Sequence, residues 1–420
     1  MKAKLEYGAK EIDIDIADEK IMGVLTGPEI PGLSFTEISS IITDGLTKDA
    51  PVGIKNKKIV IIIPDNTRLW ARGDLYIPVI INSLESMGVL MNNIKIVLAL
   101  GTHPEHDSSL FPSLAGESTI GRVEILNSAN KDTSRLTYKG KTIHGTDLYV
   151  TKEADEAEHV IIFGGALHHI IAGFGGGRKY ILPGIAGYDS IQHNHSLAML
   201  PDGKPHPNVY QANLDCNPVH EDMTSAAELF LKGKTSTLIS VAANGNGDII
   251  WAGVGDWKEE FLRGCEQLNR AGSVFINEPG DFAIISAGGH RKDGQLYQST
   301  KALFNTYPAL KEGADILFFA ECREGSGSEM FEKFLTDYRG NPGALGSELV
   351  KNFNMGSYVA YRVIDILTRY RVTLVSSFSR EVTEKFGFHY TGDIGGYLEK
   401  LKGNGFIIPS AENILPILKK

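Results

Sequence analysis

Cysteine is scarce in this 420-residue chain: Cys216, Cys265 and Cys322 are the three, widely separated and odd in number. That excludes a disulfide framework and a thiolate zinc site, and it fits a reducing compartment. No apolar run approaches the ~18 residues of a membrane helix, and the N-terminal segment MKAKLEYGAKEIDIDIADEK lacks the apolar core of a secretory signal. The expectation is a soluble, cytoplasmic protein with no membrane partner. Basic charge is not in excess: a net charge of −9 argues against a nucleic-acid partner, while leaving room for a local cationic pocket. Internal repeats and low-complexity tracts are also missing.

What is present is an ordinary globular composition, 42% hydrophobic and 22% charged, enough for two or three domain cores. EIDIDI alternates with period two and reads as a half-buried strand with Ile12, Ile14 and Ile16 on one face. KKIVIIIPDNTR gives a fully apolar strand over Ile59 to Ile63. A helix over Leu75 to Met87 and a second buried strand over Ile94 to Leu100 follow. A third buried strand spans His159 to Phe163, and a further one, Ser236 to Asn244, leads to a helix over Trp257 to Arg270. NEPGD, Asn277 to Asp281, reads as a linker. Beyond it come strand Phe282 to Ala287, a helix near Tyr297 to Tyr307, strand Ile316 to Ala320, helices around Glu329 and Tyr358, and strand Val372 to Ser376. This pattern predicts two α/β domains with parallel-type sheets, residues 1–276 and 277–420, and an active-site cleft between them.

Polar residues gather just past the carboxyl ends of the strands, where ligands bind in open parallel sheets. PDNTR sets Asp65 and Arg68 after the first strand, GTH sets His103 after the second, and GGALHH sets His168 and His169 after the third. Arginine suits bidentate capture of a carboxylate or phosphate, although a capping aspartate beside a solvated arginine reads the same way. AGFGGGRKYILPG, Ala172 to Gly184, is not a phosphate loop. That motif needs lysine directly after glycine and a hydroxyl next, whereas here Arg178 intervenes and Tyr180 follows Lys179. Gly175, Gly176 and Gly177 let a backbone approach a ligand and expose successive N–H groups. The apolar YILPG anchors the loop, so Lys179 reads as placed; the bland alternative is a flexible turn with Lys179 in water. His193 and His195 follow. Imidazole is the commonest metal ligand, but no zinc spacing is met, and two loop and two core histidines remain an alternative reading. In the second half, Gln298 and Lys301 share one face of the predicted helix that starts at Tyr297, placed to donate to an anion or simply solvated.

In order and spacing, these segments resemble the lactate racemase family that uses a nickel-pincer nucleotide, over nearly the whole chain. The family's D-x-x-R falls on Asp65 and Arg68, its G-T-H on Gly101 to His103, and the histidine ahead of its A-G-F-x-G-G-x-K loop on His169. Its cofactor-attachment lysine falls on Lys179, its nickel-ligand histidine on His195, and its Y-Q-x-x-K on Tyr297, Gln298 and Lys301. The resemblance implies an isomerase that inverts C2 of a 2-hydroxy acid by reversible hydride transfer. Its cofactor would be the Ni(II) complex of pyridinium-3,5-bisthiocarboxylic acid mononucleotide, bound covalently to Lys179. Catalytic roles are implied for His103 and His169, and substrate contacts for Arg68, Tyr297, Gln298 and Lys301. Asp65 would orient Arg68 or contact the nucleotide, with Gly175, Gly176 and Gly177 beside the cofactor and His195 on nickel. One imidazole with soft sulfur and carbon donors suits square-planar Ni(II). The N-terminal domain would tether the cofactor and carry catalysis, and the C-terminal domain would add substrate contacts, with the last residues packing back on the first domain. Cofactor-synthesis proteins are implied as partners.

Two stretches depart from the family pattern. Pro104, Glu105 and His106 follow GTH where arginine is frequent, and Leu69–Trp70–Ala71–Arg72 follows Arg68 without the usual proline. Both fall where substrate shape is read. They leave open a longer acid, a dicarboxylic acid met by Arg72, or a sugar acid. The alternatives are therefore an aldonate 2-epimerase with the same cofactor and a catalytically silent hydroxy-acid- or nucleotide-binding homologue. A zinc hydrolase would need a carboxylate base beside the histidines, and no such motif is present.

Overall fold

A computed structural model describes residues 1–290 and 292–419. The chain forms two compact units: Ile30–Ala198 with His206–Arg270, and Met1–Glu29 with Met199–Pro205 and Ala271–Lys420.

In the first of these, six strands form one sheet in the order Ile249–Gly255, Thr235–Ala243, His159–Gly165, Ile59–Pro64, Ile94–Ala99, Glu124–Asn127. Ile59–Pro64 is the hinge of the topology, hydrogen-bonded in parallel to Ile94–Ala99 on one side and His159–Gly165 on the other. Its residues Ile59 to Ile63 are each at most 1% exposed. A parallel strand covered on both faces shows no polar alternation, which is why this run is apolar throughout. The chain builds outward from Ile59–Pro64 through Ile94–Ala99 to Glu124–Asn127, then returns to place His159–Gly165 on the opposite side. The carboxyl ends of Ile59–Pro64 and His159–Gly165 therefore flank a topological switch point, the usual ligand position in such sheets. The edge strand Ile249–Gly255 runs antiparallel to its neighbour. It escapes the sequence pattern because glycines interrupt its apolar run. The HNH histidines lie in a helix, Tyr188–Ser196, rather than a loop.

The second unit has its own six-stranded sheet, ordered His389–Tyr390, Arg371–Val375, Leu310–Phe319, Gly280–Ser286, Gly405–Ile408, Ile21–Val24, with every pairing parallel. The EIDIDI segment pairs antiparallel with Lys2–Tyr7. Leu5, Ile14 and Ile16 join Phe282, Ile284, Leu317 and Ile407 in one core.

This division differs from 1–276 and 277–420 in two ways. The first 29 residues belong with the C-terminal part, because Ile21–Val24 completes its sheet and their apolar side chains fill its core. The boundary also falls at Arg270/Ala271, ahead of NEPGD. The last strand, Leu415–Leu418, pairs in parallel with Ser273–Ile276, the end of the expected first domain, and in the observed division both strands belong to the second unit. Among the described residues no helix is long and apolar enough to cross a membrane.

Candidate active site

At the end of Ile59–Pro64, Asp65 opens a short helical turn, accepting from the Thr67 N–H at 3.1 Å and from the Thr67 hydroxyl. Its second oxygen pairs with His103 Nδ1. Burial works against ionisation of Asp65, but hydrogen bonds from His103 and Thr67 outweigh it and hold the carboxyl below its ordinary value. An ionised carboxylate only accepts, so Nδ1 carries the hydrogen, and in the neutral form of the ring the lone pair lies at Nε2. Asp65 is 5% exposed and His103 50%, so the imidazole is open to solvent on one side and held by a buried carboxylate on the other. His103 reaches this place through a turn that needs left-handed backbone at Gly101, φ 59°, with the Gly101 N–H on the Gly184 carbonyl at 2.9 Å. Asp65 thus orients His103. Arg68 donates instead to the Thr67 carbonyl at 2.9 Å and hydroxyl at 3.1 Å.

Past the end of His159–Gly165, Leu167–His169 pairs with Gly173–Gly175 in a short hairpin. His169 Nδ1 accepts from the N–H groups of Ile171 at 3.3 Å and Ala172 at 3.2 Å. Burial holds this imidazole well below its usual pKa, and the charges of Lys179, His195, Arg68 and Arg178 add to the effect. His168 faces other partners, with Nε2 on Asn269 Oδ1 at 3.3 Å and its ring 5.4 Å from that of Phe174.

The glycine run has a packing reason of its own. A Cβ on Gly175 would meet Leu167 Cδ2 at 2.7 Å, one on Gly176 the Gly165 carbonyl oxygen at 2.9 Å, and one on Gly177 Phe261 Cβ at 3.0 Å. Gly176 and Gly177 also have φ of 93° and 51°, so these positions are glycine because the loop lies against its own protein. YILPG anchors it as expected: Ile181 and Leu182 are fully buried, and the Tyr180 hydroxyl accepts from the Gly165 N–H at 3.1 Å. Lys179 is half-buried between these parts. Burial above all, then Arg68 and Arg178, pushes its amine down to about 7, against the opposing pull of Asp65.

His195 is 6% exposed, and its Nδ1 donates to the Ile191 carbonyl one turn back, at 2.7 Å. Burial pushes it down to about 4. It is a neutral imidazole with its lone pair on Nε2, the form a metal takes and the orientation a carbonyl partner enforces. His193 is exposed, its Nδ1 on the Thr146 hydroxyl at 2.7 Å. Among the described residues no group of three or more His, Cys, Asp and Glu side chains is placed to hold a metal ion. A metal on His195 would take its other donors from a bound group.

Electrostatic coupling links His169 to Lys179, His195 and Arg68, and Lys179 to Asp65. Asp65, Arg68, His169, Lys179 and His195 thus lie within electrostatic reach of one another, with His103 bound to Asp65. Tyr297, Gln298 and Lys301 lie on the helix Leu296–Thr306 of the other unit. Gln298 and Lys301 are exposed on one face, while Tyr297 meets the Phe331 ring edge-on at 5.4 Å. Lys301 Nζ is paired with Glu412 at 3.2 Å. Arg72 is held by Asp74 through two bonds, 3.0 and 2.9 Å.

The chain matches the lactate racemase N-terminal domain over residues 7–205 and the lactate racemase C-terminal domain over residues 276–403. It is 30% identical to a lactate racemase of Lactiplantibacillus plantarum over 341 residues, 79% of this chain and 78% of that protein. A lactate racemase of Thermoanaerobacterium thermosaccharolyticum is 26% identical over 423 residues, 98% of this chain and 94% of that one. The solved apoprotein of a lactate racemase from that organism superposes with a TM-score of 0.86 at 23% identity, over 99% of this chain and the whole of the other. A crystal structure of a Thermotoga maritima protein shares the fold at a TM-score of 0.65 and 17% identity, over 93% of this chain and all of that one. Sequence and fold agree on the class, an isomerase built of α/β units. The chain belongs to the lactate racemase family.

Proposed function

We propose that this protein is a 2-hydroxy acid racemase or epimerase that inverts C2 by reversible hydride transfer with a nickel-pincer nucleotide tethered to Lys179. The observation that carries this reading is the low-pKa amine of Lys179, coupled to the neutral imidazoles of His169 and His195 and to Asp65, the carboxylate behind His103. The residues fit the group. Lys179 offers a nucleophilic nitrogen for acylation, and His195 one nitrogen for Ni(II), with the sulfur and carbon donors belonging to the nucleotide. When bound, such a group supplies an acceptor for the C2 hydride and a donor that returns it to either face of the planar 2-keto acid.

Everything else falls to the protein. His103 Nε2 takes the hydroxyl proton, and Asp65 stabilises the resulting imidazolium. His169 serves the oxygen on the other side of C2. Arg68 holds the substrate carboxylate through its planar fork; by the family resemblance, Tyr297, Gln298 and Lys301 are further substrate contacts. The cofactor arrives from separate synthesis proteins. An aldonate 2-epimerase would use the same residues on a longer substrate. A panel of 2-hydroxy acids, lactate and aldonates included, tested with cofactor-loaded protein checks this reading. Interconversion of at least one is expected, and nickel-loaded protein inert toward all of them would contradict it.

Two further outcomes follow from the geometry. His195→Ala is expected to lose nickel while keeping the organic adduct, read by metal analysis beside intact mass; release of nickel by His193→Ala alone would mean the wrong member of the pair has been assigned. Arg68→Lys is expected to raise KM more than it lowers kcat, because an ammonium cannot reproduce two parallel bonds to a carboxylate. Steady-state kinetics decides it.

A further inference from the structure

We propose that Asn217 and Arg178, neither of them expected in the site, are positioning residues that fix the His169 ring with its hydrogen on Nε2. A trans peptide unit points its carbonyl and its N–H in opposite directions. In the unit joining Ile171 to Ala172, the carbonyl accepts from Asn217 Nδ2 at 3.0 Å and the N–H donates to His169 Nδ1 at 3.2 Å. The Ile171 N–H reaches the same ring nitrogen at 3.3 Å. The next carbonyl, that of Ala172, accepts from Arg178 Nη2 at 2.9 Å, and that of Phe174 from Nη1 at 3.1 Å. Two side chains thus hold by their carbonyls the segment whose N–H groups grip His169.

Both are fully buried, and both are themselves fixed. Asn217 Oδ1 caps the helix Pro218–Leu231, accepting from Val219 at 3.1 Å and His220 at 3.2 Å, which leaves its amide nitrogen for the Ile171 and Asn213 carbonyls. Arg178 Nε donates to His220 Nδ1 at 2.8 Å, and its guanidinium lies 4.0 Å over the Phe261 ring. Burying a guanidinium is costly unless its donors are satisfied. Here the loop carbonyls of Ala172 and Phe174 do much of that.

A ring nitrogen that accepts two N–H bonds carries no hydrogen, so neutral His169 has its hydrogen on Nε2. His103 is the opposite, with its hydrogen on Nδ1 toward Asp65. Two histidines that look equivalent in the sequence therefore differ in polarity. His103 shows a lone pair, and His169 shows a donor. In the proposed reaction His103 is then the group that takes the hydroxyl proton and gives it back, and His169 the one that offers a hydrogen bond to oxygen. That consequence rests on the functional reading above; the tautomer does not.

The test uses protein labelled with ¹⁵N-histidine, without cofactor or substrate, and long-range ¹H–¹⁵N correlation of the imidazoles, with His169→Gln assigning the signals. Wild type is expected to show His169 wholly as the Nε2–H tautomer. Asn217→Ala, shown to be folded by circular dichroism, is expected to populate both tautomers. A wild-type ring protonated at Nδ1 would overturn the proposal, as would a folded Asn217→Ala protein that keeps the Nε2–H form in full. Should Asn217→Ala fail to fold, Arg178→Lys, which keeps the charge but not the fork, carries the same expectation and the same refutation. Racemisation is measured separately on loaded protein, so an inactive protein with the expected tautomer counts against the functional reading and leaves this proposal standing.

Discussion

Lys179→Ala is expected to abolish cofactor attachment and racemisation together. The side chain is half-buried beside Arg68 and Arg178, and its amine is pushed down to about 7. An ordinary lysine near neutral pH is uncharged in only about one molecule in 10³. Here the uncharged, nucleophilic form is a large fraction. A lowered pKa on a basic group favours the neutral form, so reactivity toward acylating reagents should be present above about 7 and lost below it as the amine protonates. Protein made alongside cofactor-synthesis proteins should carry a mass adduct in wild type and none in Lys179→Ala. Lys179→Arg should also lack it, because a guanidinium stays protonated. Fully active protein with an unmodified Lys179 would contradict the assignment.

His103→Ala is the second large effect, a loss in turnover on the order of 10²-fold or more if the ring supplies general acid–base catalysis. Asp65→Asn separates orientation from charge. The amide has the shape of the carboxylate, but it cannot stabilise an imidazolium and no longer dictates which ring nitrogen holds the hydrogen. A loss of about 10²- to 10⁴-fold is expected, largely in kcat. His168→Ala should keep activity, since that ring is engaged with Asn269 and Phe174. Initial rates from both stereoisomers on loaded protein measure all three. Full activity in His103→Ala would remove the base from the account.

The sheet strands were legible because burial on both faces writes itself as unbroken isoleucine and valine, as in Ile59 to Ile63. The candidate site was legible where its residues, Asp65, His103 and His169, stand just past the ends of those strands. What did not show was long-range partnership. Nothing local to residues 1–29 announces that Ile21–Val24 pairs with Gly405–Ile408. Nothing near Asp65 says that its carboxylate serves His103 rather than Arg68. The glycines at 175 to 177 looked like a ligand cradle because close approach to a ligand and close approach to Leu167, Gly165 and Phe261 call for the same residue. Arg178 was in plain view within an apolar, glycine-rich segment, and a charged residue in such a setting is the one signal that could have marked it. Asn217 carried none beyond its place ahead of Pro218 as a helix cap.

The central claim is that the C2 hydrogen leaves with its electron pair. The alternative, removal as a proton, asks a base to act on a weakly acidic carbon beside a carboxylate, and a histidine is poorly matched to that. Taking a hydroxyl proton while the hydrogen departs as hydride asks far less of His103. The direct measurement is the fate of deuterium at C2 during inversion in ordinary water, with cofactor-loaded protein. The account predicts that the opposite stereoisomer retains most of its label and forms more slowly than from protiated substrate if this step limits the rate. Loss of the label to solvent at the same rate as inversion would contradict it.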